Sequence, residues 1–152
     1  MIRASGCAAR NASASEADAV TSAMRLPATP TKPVKVLGAP SSAVIGKALE
    51  KEARAILTAV PKGSSLAALC VEGKQKTSEE LAAYLDERAG SGAGDVAFVI
   101  GSSHGLADSV KQTASLRLSM SKMTFPHQLV RVMLLEQLYR SFKIDEGSSY
   151  HK

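Results

Sequence analysis

The chain is poor in cysteine: Cys7 and Cys70 are its two, far apart and without metal-ligand spacing. That scarcity argues against a disulfide-stapled scaffold and against a cysteine-based metal centre, so no metal is expected. Cys70 lies in an apolar run and reads as a buried thiol, which suits a reducing compartment and a cytoplasmic location. No apolar stretch approaches the roughly 20 residues needed to cross a bilayer, so no membrane role is expected. A continuous apolar h-region of the secretory kind is missing, as are internal repeats and a three-glycine dinucleotide fingerprint. What is there is ordinary for a soluble globular chain: 45% hydrophobic and 22% charged residues. Lys plus Arg is 19 against 14 for Asp plus Glu, a formal charge of +5 that suits a polyanionic partner. A length of 152 residues is enough for one domain with a real core.

Residues 1–33, "MIRASGCAARNASASEADAVTSAMRLPATPTKP", are rich in Ala and Ser and end in three closely spaced prolines. They lack strand alternation and carry a weak helical signal only around "EADAVTSAMRL". This segment reads as a mobile N-terminal extension. An organellar transit peptide is the alternative, from its Arg, Ser and Ala content, with Glu16 and Asp18 counting against it.

Residues 34–152 form the domain, and here the pattern becomes regular. "VKVLG" is a short strand, and "SSAVIGKALEKEARAILTAV" places Ile45, Leu49, Ile56 and Val60 on one helical face behind Ser41 or Ser42 as cap. "SLAALCVEG" is a continuous apolar run, as expected for a strand covered on both faces. "TSEELAAYLDERAG" has Thr77 and Glu80 in capping-box spacing and stops at Gly90. "DVAFVIG" is a buried strand, "LADSVKQTA" a short helix, "LRLSM" a strand, and residues 126–143 a final helix with Pro126 in its first turn. Alternating strands and helices predict an α/β fold: a mostly parallel sheet with helices on both faces. Ligands in such sheets collect at loops leaving the carboxyl ends of strands. Three loops qualify: "EGKQKT" after Val71, "GSSHG" after Ile100, and "SKMTFP" after Met120.

In "VIGSSHGL", Gly101 and Gly105 let the backbone turn sharply and approach a ligand, though a tight strand-to-helix turn needs the same residues. His104 reads as an exposed loop histidine rather than a ligand-facing group. "MSKMTFP" asks for more explanation, since a turn that only reversed the chain would use Gly, Asn or Asp. Met120 and Met123 offer adaptable apolar surface for a flat ring or a thioether, or else fill core gaps. Pro126 restricts Phe125, so the backbone here is irregular and its polar groups need partners, such as an adenine edge. The last helix is apolar almost all round and should be buried or shared with another subunit. Its Gln128, Arg131, Glu136 and Arg140 must then be paired or face a cleft. Arg131 stands one turn after His127, where an anion would gain from both the helix dipole and the guanidinium; the alternative is an interfacial ion pair to Glu136 or its partner-chain equivalent. The tail "SSYHK" suits stacking on a base and meeting phosphates, or is a frayed end.

"FVIGSSHGL", "LRLSMSKMTFPHQLVRVMLLEQLYRSFKI" and the terminal "YHK" resemble the large-subunit ribosomal RNA pseudouridine methyltransferases of the SPOUT class. The resemblance runs from about Pro33 to Lys152 and is densest from Val96 onward. It implies a homodimer with a C-terminal trefoil knot, a rare exception to unthreaded chains. It also implies S-adenosylmethionine as cofactor and methylation of the N3 ring nitrogen of a pseudouridine in a large-subunit rRNA stem-loop within the ribosome. Carried over by position, the cofactor pocket is Leu69, Gly101, Met120, Ser121, Lys122, Met123, Thr124 and Phe125. The interrupted turn would then be knot and pocket wall at once. The usual first strand and helix of the family have no counterpart in residues 1–33, its usual glycine pair is Gly101-Ser102, and its usual acidic residue is Cys70.

Methyl transfer from a sulfonium is an in-line displacement, so alignment of the reactants is the main task, with a base or cation at the acceptor nitrogen. His127, Arg131, Tyr150 and His151 are expected to position the substrate, with His151 placed to act from the neighbouring subunit. Two other readings differ in class. One is a catalytically impaired RNA- or ribosome-binding relative, motivated by the missing first strand, Ser102 and Cys70. The other is a small-molecule nucleotide-binding module, which the charge of +5 disfavours.

Overall fold

The computed structural model describes residues 2–5, 41–91 and 95–151, with residues 2–5 and 151 described by their backbone. The elements are β1 (Ile2–Ser5), α1 (Ser42–Ala59), β2 (Ser65–Lys74), α2 (Ser78–Gly90), β3 (Asp95–Ile100), α3 (Asp108–Thr113), β4 (Leu116–Leu118) and α4 (His127–Asp145), then a 3-10 turn at Ser149–His151. The sheet order is β1-β3-β2-β4. β2 pairs in parallel with both β3 and β4, while β1 lies antiparallel to β3 at one edge.

The expected mostly parallel sheet with helices on both faces is therefore present. Alternation along the central strands sorts the core into two halves. Ala67, Leu69, Val96, Phe98, Leu116 and Leu118 face one way and meet Leu81 of α2 with Leu134 and Leu138 of α4. Leu66, Ala68, Ala97 and Val99 face the other way and meet Ala53 of α1 with Ala107 and Val110 around α3. Both faces being covered explains why residues 66–69 of β2 and 96–100 of β3 are apolar without interruption.

Local chemistry sets most boundaries. Thr77 caps α2 with both halves of the capping box: its side chain accepts from the Glu80 amide, and the Glu80 carboxylate accepts from the Thr77 amide. Ser41 occupies the cap position of α1 but makes no side-chain cap bond. Pro126 stands just before α4 rather than inside its first turn.

Two sequence expectations change, and two fall where nothing is described. The reading of no strand in residues 1–33 is corrected at Ile2–Ser5, whose four residues are too few to display alternation and are held by backbone pairing to β3. The "EADAVTSAMRL" helical signal and the "VKVLG" strand lie outside the described residues. The "EGKQKT" loop starts later than its composition implies, because β2 continues to Lys74. It does so irregularly: Leu69 and Lys74 both register with Leu118, so the residues between them bulge.

Candidate active site

The bulge on β2, the turn after β3 and the segment after β4 enclose one cavity of about 460 Å³. Each wall has a local cause. Gly73 lets β2 return against β4: a Cβ there would lie 2.8 Å from the Leu118 carbonyl carbon, and the Ser119 amide then donates to the Lys74 carbonyl at 3.0 Å. The intervening Cys70, Val71 and Glu72 are turned to the cavity. After β3 the chain folds back on itself, with the Gly105 amide donating to the Ser102 carbonyl at 2.9 Å. A Cβ on Gly101 would sit 2.6 Å from Gly105 backbone carbon, so the glycine is required by the turn itself. After β4, the Ser119 hydroxyl donates to the Ser121 carbonyl at 2.9 Å, and the Met123 amide donates to the Ser121 hydroxyl at 3.1 Å. These bonds set the irregular segment that leads through Phe125 and Pro126 into α4.

Of the residues named from sequence, Leu69, Gly101, Met120, Ser121, Met123, Thr124 and Phe125 all line this cavity. Lys122, from the same segment, is exposed and outside the lining. His127 opens α4 and lines the cavity, whereas Arg131 is exposed and does not. Tyr150 is elsewhere: its ring meets Tyr139 edge-on at 5.2 Å, Arg140 lies 5.1 Å over it, and its hydroxyl donates to Glu136 at 3.4 Å. Within the chain Glu136 pairs with Arg140 at 2.6 Å rather than with Arg131, which corrects the within-chain form of the sequence alternative. His104 is exposed and contacts Ser103 at 3.3 Å, outside the cavity.

Two charged lining residues were not singled out from sequence, Glu72 on the bulge and Lys111 on α3. They form an ion pair, with Asp108 a further 3.6 Å from the Lys111 ammonium. The hydrogen bond from Lys111 holds the Glu72 carboxyl below the usual carboxylate range, and Glu72 in return raises Lys111. Glu72 was hidden in a segment read as loop; Lys111 carries no local signal at all. Cys70 is a free, half-buried thiol. Burial, with Glu72 adding to it, pushes its pKa up, which keeps it protonated and unsuited to nucleophilic work. Among the described residues no group of three or more His, Cys, Asp or Glu could hold a metal ion, and no helix is long and apolar enough to cross a membrane.

A hollow of this size, with apolar side chains and one charged pair in its lining, at the carboxyl ends of parallel strands, has the make-up of a small-molecule site. The family model described as "Predicted SPOUT methyltransferase" matches residues 16–151, and the chain belongs to that family. Among curated relatives it is 52% identical over 103 residues to the ribosomal RNA large subunit methyltransferase H of Bacillus pumilus, covering 68% of this chain and 65% of the relative. It is 50% identical over 112 residues to the ribosomal RNA large subunit methyltransferase H of Pelotomaculum thermopropionicum, covering 74% of this chain and 70% of the relative. The matched region is thus about two-thirds of the length of these relatives.

Proposed function

We propose that this protein is an S-adenosylmethionine-dependent methyltransferase that acts on the N3 nitrogen of a pseudouridine in a large-subunit ribosomal RNA stem-loop, as a homodimer in the cytoplasm. The observation that carries this reading is the convergence of Leu69, Gly101 and the segment from Met120 to Phe125 on one hollow, from three different strand ends. The similarity to relatives named as ribosomal RNA large subunit methyltransferases supports the substrate class. The reading includes a trefoil knot through which the segment before α4 is threaded.

The residues present fit an adenosyl group. Met120, Met123 and Phe125 supply apolar surface for a flat base, and the strand-end backbone at Leu69 and Gly101 supplies polar edges close by. Lys122 belongs to the same segment on its exposed side. The bound cofactor would supply an electrophilic methyl on a sulfonium. The protein aligns the acceptor nitrogen with it and excludes water. His127, at the cavity and at the N-terminus of α4, is the group assigned to hold or move the imide proton. Arg131, exposed one turn further on, takes the RNA backbone. Tyr150 packs against residues 136–140, which lie about 14–20 Å along α4 from His127 at 1.5 Å per residue. A tail held there serves a second copy's cavity better than its own, which is why Tyr150 and His151 are assigned across subunits. Leu129 and Val132, 47% and 62% exposed on α4, are apolar surface for that second copy.

The test is transfer of labelled methyl from S-adenosylmethionine to large subunits lacking the modification, with mass spectrometry of the stem-loop. One added methyl on the pseudouridine ring is the expected result. Cofactor binding without transfer to any ribosomal particle would favour the impaired, RNA-binding alternative.

A further inference from the structure

Apolar side chains, Met120, Phe125 and Val130 among them, share the cavity lining with Glu72 and Lys111, which bring the one carboxylate and the one lysine among the described lining residues. The two come from elements far apart in sequence and meet as an ion pair through Glu72 Oε1. Their side chains are 54% and 20% exposed, so the pair sits at the rim, neither sealed in the core nor fully in water. Neither group is used up by the other: a carboxylate offers about four acceptor sites and an ammonium three donors. An acid and a base side by side match one ligand chemistry in particular, an α-amino acid zwitterion. Its ammonium would meet Glu72, its carboxylate would meet Lys111, and the four charges would alternate in sign.

We propose that the Glu72–Lys111 pair is the subsite for the methionyl end of the cofactor, Glu72 accepting from the α-ammonium and Lys111 donating to the α-carboxylate. This rests on the adenosyl-sulfonium reading of the cavity and deepens it. The base of the ligand then takes apolar surface such as Met120 and Phe125, and the charged pair fixes which end of it is the amino acid. Charge-assisted bonds at a partly dehydrated rim are the stronger kind, so the pair sets specificity for ligands that carry the amino acid.

Calorimetric titration of the full chain with two probes tests this: S-adenosylhomocysteine, and 5′-methylthioadenosine, which keeps the adenosyl thioether but lacks the amino acid. Glu72→Gln and Lys111→Met should each weaken S-adenosylhomocysteine about tenfold or more while changing 5′-methylthioadenosine by less than about twofold. The double variant Glu72→Lys with Lys111→Glu keeps an ion pair between β2 and α3 but reverses its order. The selective loss should persist there. Parallel loss of both probes, no loss of either, or recovery of S-adenosylhomocysteine in the reversed variant would overturn the proposal. Failure of the unaltered protein to bind either probe would instead sink the cofactor reading, and the subsite with it.

Discussion

Single side chains decide whether the hollow exists. Gly101 and Gly105 are backbone neighbours, and the Cβ of Gly101→Ala would fall 2.6 Å from main-chain carbon that has no rotamer to yield. That variant should lose about 1–3 kcal/mol of stability and most of its cofactor affinity, read by thermal unfolding and titration calorimetry. Leu134 is fully buried against the sheet, so Leu134→Ala should cost about 2–5 kcal/mol in denaturant unfolding through the space it leaves. Arg131 stands outside the cavity, and Arg131→Ala should cut methylation of RNA more than it cuts cofactor affinity. The reverse ordering would remove Arg131 from the acceptor side.

Elements differ in how firmly they are held. Thr77→Ala removes a formed capping box on α2 and should cost about 1 kcal/mol, whereas Ser41→Ala, at a cap without a side-chain bond, should change stability by no more than about 0.5 kcal/mol. The β2 bulge is tied to α3 by Glu72 and Lys111. Glu72 has a depressed folded pKa, so its contribution is present above the ordinary carboxylate range and lost as pH falls through the lowered value. Lys111 has a raised one, so its contribution holds below the ordinary lysine range and is lost only as pH rises through the raised value. The stability gap between the unaltered protein and Glu72→Gln should be flat between those limits and close in acid, as followed by urea unfolding over pH. The capping box of α2 and the apolar runs of β2 and β3 were readable in the sequence because each depends on neighbours within a few residues. The bulge was not, because it is a register shift against β4 and leaves no mark in β2 beyond Gly73.

For the molecule as a whole, a net charge of +5 and exposed Leu129 and Val132 lead to separable expectations. Affinity for the stem-loop should fall linearly with the logarithm of salt concentration. For the proposed homodimer, Val132→Glu should give a folded monomer in light scattering and abolish RNA methylation while sparing cofactor binding. Dimeric Val132→Glu protein would show that α4 is not the shared face.

The fold class followed from local rules alone: residues i and i+2 choose a strand face, residues i and i+4 choose a helix face, and both are written in adjacent letters. The pocket segments were recognisable too, as strand-end loops of unusual composition. What came only with the folded chain is which charges enter the cavity and which stay out. Glu72 and Lys111 are joined, Arg131 is left outside, and Tyr150 is drawn to Arg140 and Glu136, because these outcomes depend on strand register and helix docking between distant segments. Distance along the chain carries no record of such meetings; packing alone creates them.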